Sequence, residues 1–129
     1  MTVAFLFEDL EVYKRSVALA ERITKLTAEF SSGTYAIADQ LRRAAISIPC
    51  NIAEGNGRWH GKERRQFFMI ARGSAFECIP VLDIANRLGF VPEAEYFALR
   101  DEIDQICRML TSLAQGAEAN RRRPRSGLG

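Results

Sequence analysis

The stretch that decides the fold spans residues 41–58 and reads LRRAAISIPCNIAEGNGR. Its apolar residues recur every three or four positions, which is the spacing of one face of an α-helix. They are Leu41, Ala45, Ile48 and Ile52. Pro49 interrupts this pattern, and Gly55 and Gly57 follow it. Because the apolar spacing continues beyond Pro49, the proline predicts a kink, and the two glycines predict the end of the helix.

Further segments on both sides of this stretch show the same spacing. The predicted helices span about residues 9–30, 35–56, 62–88 and 92–115, with Asp9 as the first N-cap and Gly89 closing the third. The fourth is the most regular, with apolar residues at Tyr96, Leu99, Ile103, Ile106, Leu110 and Leu113. No strand pattern occurs. The sequence predicts an all-α, antiparallel up-down four-helix bundle over residues 1–116, and a disordered basic tail over 117–129.

The third predicted helix carries two apolar stripes and a second proline kink, at Pro80. Its inner stripe consists of Phe67, Ala71, Ser74, Ala75, Cys78, Leu82 and Ala85. The other stripe lies on the opposite side and consists of Gly73, Phe76, Pro80 and Ile84. A second apolar stripe on an amphipathic helix favours a partner surface, so we predict self-association through it. The alternative is that an N-terminal arm, residues 2–7, covers it.

The polar face of the second helix has two interpretations. It consists of Arg43, Ser47, Cys50 and Glu54. This face is either solvated and held by ion pairs four residues apart, Asp39–Arg43 and Glu54–Arg58, or it joins the subunit interface through Arg43, Ser47 and Glu54. Asn51 lies at its border, where it either faces water or bonds the Ala45 carbonyl that Pro49 leaves without its usual donor.

The charge of the chain is concentrated in one region. Residues 40–72 carry seven basic and two acidic side chains, whereas residues 73–120 carry three basic and eight acidic ones. The connection at 55–66, GNGRWHGKERRQ, places an aromatic residue among cations: Arg58, Trp59, Lys62, Arg64 and Arg65. Arginine beside an exposed aromatic suits phosphate contact and base stacking. The alternative is a solvated turn whose tryptophan packs against its own chain.

Other classes of function find little support in the sequence. A single histidine cannot supply a metal site, and no glycine-rich phosphate loop is present, so we expect no catalytic residues, no metal and no cofactor. No apolar run approaches the ~20 residues of a membrane span, and no signal peptide is evident. The three cysteines have no paired spacing, which predicts reduced thiols and a cytoplasmic protein.

Several segments resemble one protein family. LRRAAISIPCNIAEGNGR at 41–58, ARGSAFE at 71–77 and ANRLGF at 85–90 resemble the bacterial four-helix-bundle proteins encoded in intervening sequences of 23S ribosomal RNA genes. FEDLEVYKRSVALA at 7–20 resembles their first helix. The resemblance covers about residues 7–115. It implies an antiparallel bundle and a homopentamer, and a distant similarity to the accessory protein of diversity-generating retroelements, a basic pentamer that works with nucleic acid.

The chain departs from this family's pattern at three positions. Arg64 replaces a usual aromatic residue, His60 replaces a small hydroxyl cap, and Pro80 is not a usual feature. Taken together, the sequence predicts a non-enzymatic homo-oligomer that binds RNA or DNA through the basic end formed by helices two and three. A protein–protein scaffold or adaptor without a nucleic-acid role is the alternative. We expect neither a membrane nor a small-molecule substrate as a partner.

Overall fold

A computed structural model describes residues 3–121 of the 129-residue chain. Its four α-helices are α1 (Glu11–Thr27), α2 (Tyr35–Asn56), α3 (Gly61–Arg87) and α4 (Glu93–Arg121). Two short 3-10 turns, Leu6–Asp9 and Ser32–Thr34, precede α1 and α2. The described residues contain no β-strand, so the all-α prediction is confirmed. Most of the predicted tail, residues 122–129, lies outside the described part.

The helices pack around a main core because each of them buries an apolar face in it. Each helix packs against the next in the chain, and α1 meets α4 more sparsely. The largest fully buried side chains come from all four helices: Leu19, Ile23, Leu41, Ile48, Ile52, Phe68, Leu82, Leu99, Ile103, Ile106 and Leu110. None of the helices within residues 3–121 combines the length and the apolar character that crossing a membrane requires.

Three helix ends differ from the prediction by two residues or more, and one of them is the end of α1, at Thr27 instead of residue 30. Helix α1 begins at Glu11 because residues 6–9 form a 3-10 turn, so Asp9 is not its N-cap. Helix α4 continues past residue 115 to Arg121. Ala114 and Ala117 are buried in a small cluster with Phe68, which gives this last part of the helix an apolar face to pack. Helix α4 thus runs past residues 116–117, where the sequence placed the boundary between bundle and tail.

Both prolines lie inside helices that continue beyond them, Pro49 in α2 and Pro80 in α3. The kinks expected there stay a prediction. Next to Pro49, the Asn51 side-chain amide donates to the Ser47 carbonyl at 2.8 Å and to the Ser47 hydroxyl at 2.9 Å. It therefore does not serve the Ala45 carbonyl, which was one of its two expected roles.

Of the two glycines expected to end α2, Gly57 is its C-cap, whereas Gly55 lies buried inside the last turn of the helix. A Cβ atom at residue 55 would lie 2.8 Å from Cε1 of Phe68. The glycine thus lets α2 and α3 approach closely. Gly89 closes α3 as predicted: its φ is +85°, and the N–H of Phe90 donates to the Ala85 carbonyl at 2.9 Å.

Candidate nucleic-acid interface

The basic residues gather where α2 ends and α3 begins. Residues 57–60 connect the two helices, and His60 occupies the N-cap position of α3 without a side-chain hydrogen bond to it. The close approach at Gly55 holds the end of α2 against the first turns of α3. The short connection therefore brings together the residues predicted for nucleic-acid contact, which are Arg58, Trp59, Lys62, Arg64 and Arg65. We call this set the basic end.

Arg64 is directed toward its own chain. Its Nη1 donates to the carbonyl of Asn56 at 2.8 Å and to the carbonyl of Arg58 at 3.3 Å. Its guanidinium carbon lies 5.8 Å from the ring centroid of Phe68. The last carbonyls of a helix lack intrahelical donors, and a cation there satisfies them. Arg64 therefore stabilises the end of α2, a role that the sequence did not indicate.

Arg58 and Arg65 each contact a carboxylate at the surface. Arg58 lies 3.0 Å from Glu54, and Arg65 lies 3.3 Å from Glu118 of α4. The two arginine side chains are 43% and 46% exposed. Ion pairs this exposed contribute little to stability, because water solvates both partners well. A phosphate group can therefore replace either carboxylate at small cost.

The guanidinium group of Arg58 packs over the ring of Phe67. The Arg58 guanidinium lies 4.7 Å from the Phe67 ring centroid, and this ring is half-buried. The neighbouring Phe68 is the one that fills the core. The predicted inner stripe of α3 was thus wrong at its first position. Ser74, also placed in that stripe, is half-buried and bonds a side chain of α2.

Lys62 and Trp59 are both exposed at the basic end. Lys62 makes no ion pair or hydrogen bond within residues 3–121 and is exposed. The Trp59 side chain is 72% exposed. An accessible ammonium group and an accessible aromatic ring are what phosphate contact and base stacking require.

The second apolar stripe of α3 is exposed. Phe76 and Ile84 are 51% and 49% exposed, and Gly73 and Pro80 lie between and beside them at the surface. Ile70, 45% exposed, extends this stripe by one turn. Ile70 lies three residues before Gly73, so helical spacing in the sequence could have identified it as a member of this stripe.

The N-terminal arm does not cover this stripe. Its residues Val3, Phe5 and Leu6 are themselves exposed, and the turn that they lead into packs against α1 and α2. Phe76 instead contacts Arg72, whose guanidinium lies 4.6 Å from its ring centroid. The arm, which was the alternative to a partner, is therefore excluded as a cover for the α3 stripe.

The polar face of α2 is held by the contacts expected from its spacing. Arg43 lies 3.0 Å from Asp39, and the pair of Glu54 with Arg58 forms as predicted. Ser47 differs, because its hydroxyl lies 2.8 Å from the hydroxyl of Ser74 on α3. It is half-buried between the two helices, whereas the sequence placed it on the outer face.

The cysteines form no site. Cys50 is exposed, while Cys78 and Cys107 are buried. Burial raises the pKa of Cys78 to about 12 and also raises the pKa of Cys107, which keeps both thiols protonated and unreactive. Within residues 3–121 no three side chains of His, Cys, Asp or Glu come close enough to hold a metal ion.

Comparison with known proteins agrees with this architecture. A solved structure of a protein with unknown function from the S23 ribosomal protein family, from Bacteroides thetaiotaomicron VPI-5482, superposes with a TM-score of 0.75. The two sequences are 22% identical, and the match covers 81% of this chain and 95% of that one. This likeness shows the fold. No protein of curated function matches the chain. Residues 8–112 match the family described as 23S rRNA-intervening sequence protein, and the chain belongs to that family.

Proposed function

We propose that this protein is a non-enzymatic homo-oligomer, a pentamer, that binds RNA or DNA through its basic end. The observation that carries the nucleic-acid part is that Arg58, Lys62 and Arg65 are exposed on or beside the short connection that also carries Trp59, whose ring is 72% exposed. The ion pairs of the two arginines are exposed, Arg58 lies in addition over the Phe67 ring, and Lys62 has no carboxylate partner within the described residues. Arg64 does not belong to the proposed set, because its guanidinium already donates hydrogen bonds to the carbonyls of Asn56 and Arg58.

The assembly part rests on the exposed stripe of α3. When a second subunit covers large apolar side chains that are exposed along one helix face, their removal from water lowers the free energy of the assembly. In a closed ring the basic end repeats once per subunit. Several weak phosphate contacts then act together, so the ring binds one nucleic acid far more tightly than a single subunit does.

The proposed subunit is an antiparallel up-down bundle whose second and third helices bend at Pro49 and Pro80. Contacts between helices support the antiparallel arrangement. Along each pair of neighbouring helices, contacts at higher residue numbers on one helix involve lower residue numbers on the other. The pairs are Arg15–Glu102 and Arg22–Glu95, Ser47–Ser74 and Gly55–Phe68, and Arg65–Glu118 and Arg100–Asp83.

A triple substitution tests the nucleic-acid part. Arg58, Lys62 and Arg65 are changed together to glutamine, and binding to a structured RNA is measured by electrophoretic shift at two salt concentrations. The wild-type protein should bind, and its affinity should fall steeply as salt rises, because phosphate contacts release counterions. The variant should lose binding while its oligomeric state stays the same.

A matched control keeps the number of charges removed the same. Lys14, Lys25 and Arg108 are exposed cations outside the basic end, and their triple glutamine variant should bind nearly as well as wild type. If wild type shows no salt-sensitive binding to RNA or DNA, or if the basic-end variant binds as well as the control, the nucleic-acid function is wrong.

A scaffold or adaptor is the second candidate. The observation that favours it is that Arg58, Arg64 and Arg65 all contact groups of their own chain. The exposed stripe of α3 then serves another protein. Under this function, wild-type protein remains a monomer and the basic-end variant behaves as wild type in every binding assay.

A further inference from the structure

A groove beside the basic end is lined by both charged and apolar side chains. It lies along the first turns of α3, next to the C-terminal part of α4, and has a volume of about 590 Å³. Its lining residues are Lys62, Arg65, Gln66, Met69, Ile70 and Glu118. The groove ends at Ile70, so most of the exposed stripe of α3 lies beyond it.

The polar and apolar groups of the groove are separated along its length. Lys62 and Arg65 place two cations at one end, and Met69 and Ile70 supply an apolar wall at the other. Gln66 lies between them along the helix and carries an amide that both donates and accepts. This order matches a nucleotide, in which an anionic phosphate is followed by a base with a polar edge and an apolar face.

Glu118 pairs with one of the two cations of the groove. Its carboxylate lies 3.3 Å from Nε of Arg65, and both side chains are nearly half exposed. A carboxylate and a phosphate oxygen accept from arginine in the same way. An incoming phosphate therefore competes with Glu118 for Arg65.

We propose that this groove binds one unstacked nucleotide of single-stranded nucleic acid, whose phosphate displaces Glu118 from Arg65 and whose base packs against Met69 and Ile70. The proposal rests on the nucleic-acid function proposed above and deepens it by naming the ligand class. A duplex keeps its bases stacked and paired, so it can offer only phosphates to this site. The groove thus gives single strands an advantage that charge alone does not.

The first experiment compares single strands with duplexes on the full chain. Fluorescence anisotropy is measured with a labelled RNA strand, the DNA strand of the same sequence, and the duplex of each. Wild type should bind the RNA strand, the DNA strand or both more tightly than the corresponding duplex. Equal or weaker binding of both single strands overturns the groove proposal and leaves the broader function standing, whereas no binding of any of them removes both.

Two variants separate the base contact from the phosphate contact. The double variant Gln66→Ala, Ile70→Ala should lose about tenfold in single-strand affinity, the effect of one stacked base, with duplex affinity unchanged. Ile46→Ala, which truncates an apolar side chain 49% exposed on α2, is its control and should change neither. Glu118→Gln should raise affinity for both forms, whereas Glu21→Gln, which breaks a similar exposed pair with Lys25, should not.

Crosslinking of the wild-type protein gives a test that needs no variant to fold. A single strand containing 4-thiouridine is irradiated in the complex, and the modified peptide is identified by mass spectrometry. Attachment within residues 62–70 supports the proposal. Attachment confined to other parts of the chain overturns it, even if the protein binds single strands tightly.

Discussion

Gly55 and Gly73 are helical glycines in opposite surroundings. A Cβ at Gly55 would meet the Phe68 ring at 2.8 Å, whereas a Cβ at Gly73 would meet nothing within 4 Å. We expect Gly55→Ala to lower the free energy of unfolding by about 1–3 kcal/mol, because it forces α2 and α3 apart. Gly73→Ala should raise it by about 0.5–1 kcal/mol in the isolated subunit. Urea denaturation measures both changes. Equal midpoints for the Gly55→Ala and Gly73→Ala variants would show that the close approach of α2 and α3 at Gly55 does not contribute to stability.

Arg64 is expected to act on stability through its hydrogen bonds to the end of α2. Replacing it with glutamine removes the charged donor to the Asn56 carbonyl, which should lower the free energy of unfolding by about 1–2 kcal/mol. Arg43→Gln is the control, because the Arg43 side chain is 81% exposed and pairs only with Asp39. That variant should stay within about 0.5 kcal/mol of wild type. Similar denaturant midpoints for the two variants would contradict the capping role.

Helix α4 is expected to be a full member of the core. Ile106 and Leu110 are completely buried, so changing either to alanine should lower the free energy of unfolding by about 2–5 kcal/mol. Phe97 on the same helix is 55% exposed, and Phe97→Ala should change it by about 1 kcal/mol or less. Chemical denaturation compares the three. Small effects at Ile106 and Leu110 would mean that α4 is peripheral.

The sparse contact between α1 and α4 includes an ion pair that titrates. Arg22 donates to both carboxylate oxygens of Glu95, at 2.7 and 2.9 Å, and these bonds lower the pKa of Glu95. A lowered folded-state pKa stabilises the fold above the ordinary pKa of glutamate, and the effect disappears as pH falls through the lowered value. At neutral pH the free energy of unfolding of wild type should therefore be higher than that of Glu95→Gln by up to about 1 kcal/mol.

Denaturation curves from neutral pH to about pH 3 check this expectation. The difference between wild type and Glu95→Gln should shrink as the medium becomes acidic, and added salt should reduce it at neutral pH. Glu21→Gln breaks a pair within α1 and serves as the control for removing one surface carboxylate. A difference that persists undiminished at the acidic end would show that Glu95 acts by packing.

For the whole molecule, the exposed stripe of α3 predicts assembly. The double variant Phe76→Glu, Ile84→Glu places charges where a subunit would bury two apolar side chains, so it should sediment as a monomer with unchanged helix content. Phe97→Glu, an equally exposed position on α4, should leave the oligomer intact. Analytical ultracentrifugation at micromolar concentration measures all three proteins. A monomeric wild type, or an assembled double variant, would contradict the proposed ring.

The segment that matches the family covers most of the four-helix bundle. The matched residues, 8–112, include all of the first three helices and most of α4. They stop before Glu118, the carboxylate that contacts Arg65 in the groove. Glu118 of the proposed nucleotide site therefore lies outside the segment that matches the family, whereas the residues that α3 contributes lie inside it.

The amino-acid sequence by itself determined the all-α class, the existence of each helix, the bounds of α2 and the glycine that closes α3. These depend on local rules: apolar spacing reports which face of a helix is buried, and a positive φ requires glycine at one position. Ion pairs four residues apart, such as Asp39–Arg43, are equally local. Such features can be predicted because the residues that decide them are neighbours in the chain.

The tertiary structure alone decided the features that depend on residues far apart in sequence. Phe68 is buried, and Phe67 is not, because α4 supplies Ala114 and Ala117 to pack against it. The same contact extends α4 beyond its predicted end. Arg65 finds Glu118 more than fifty residues away, which no periodicity can indicate. One residue along a helix turns a side chain by about 100°, so burial and partners follow from how the helices meet, and only the packed molecule fixes that.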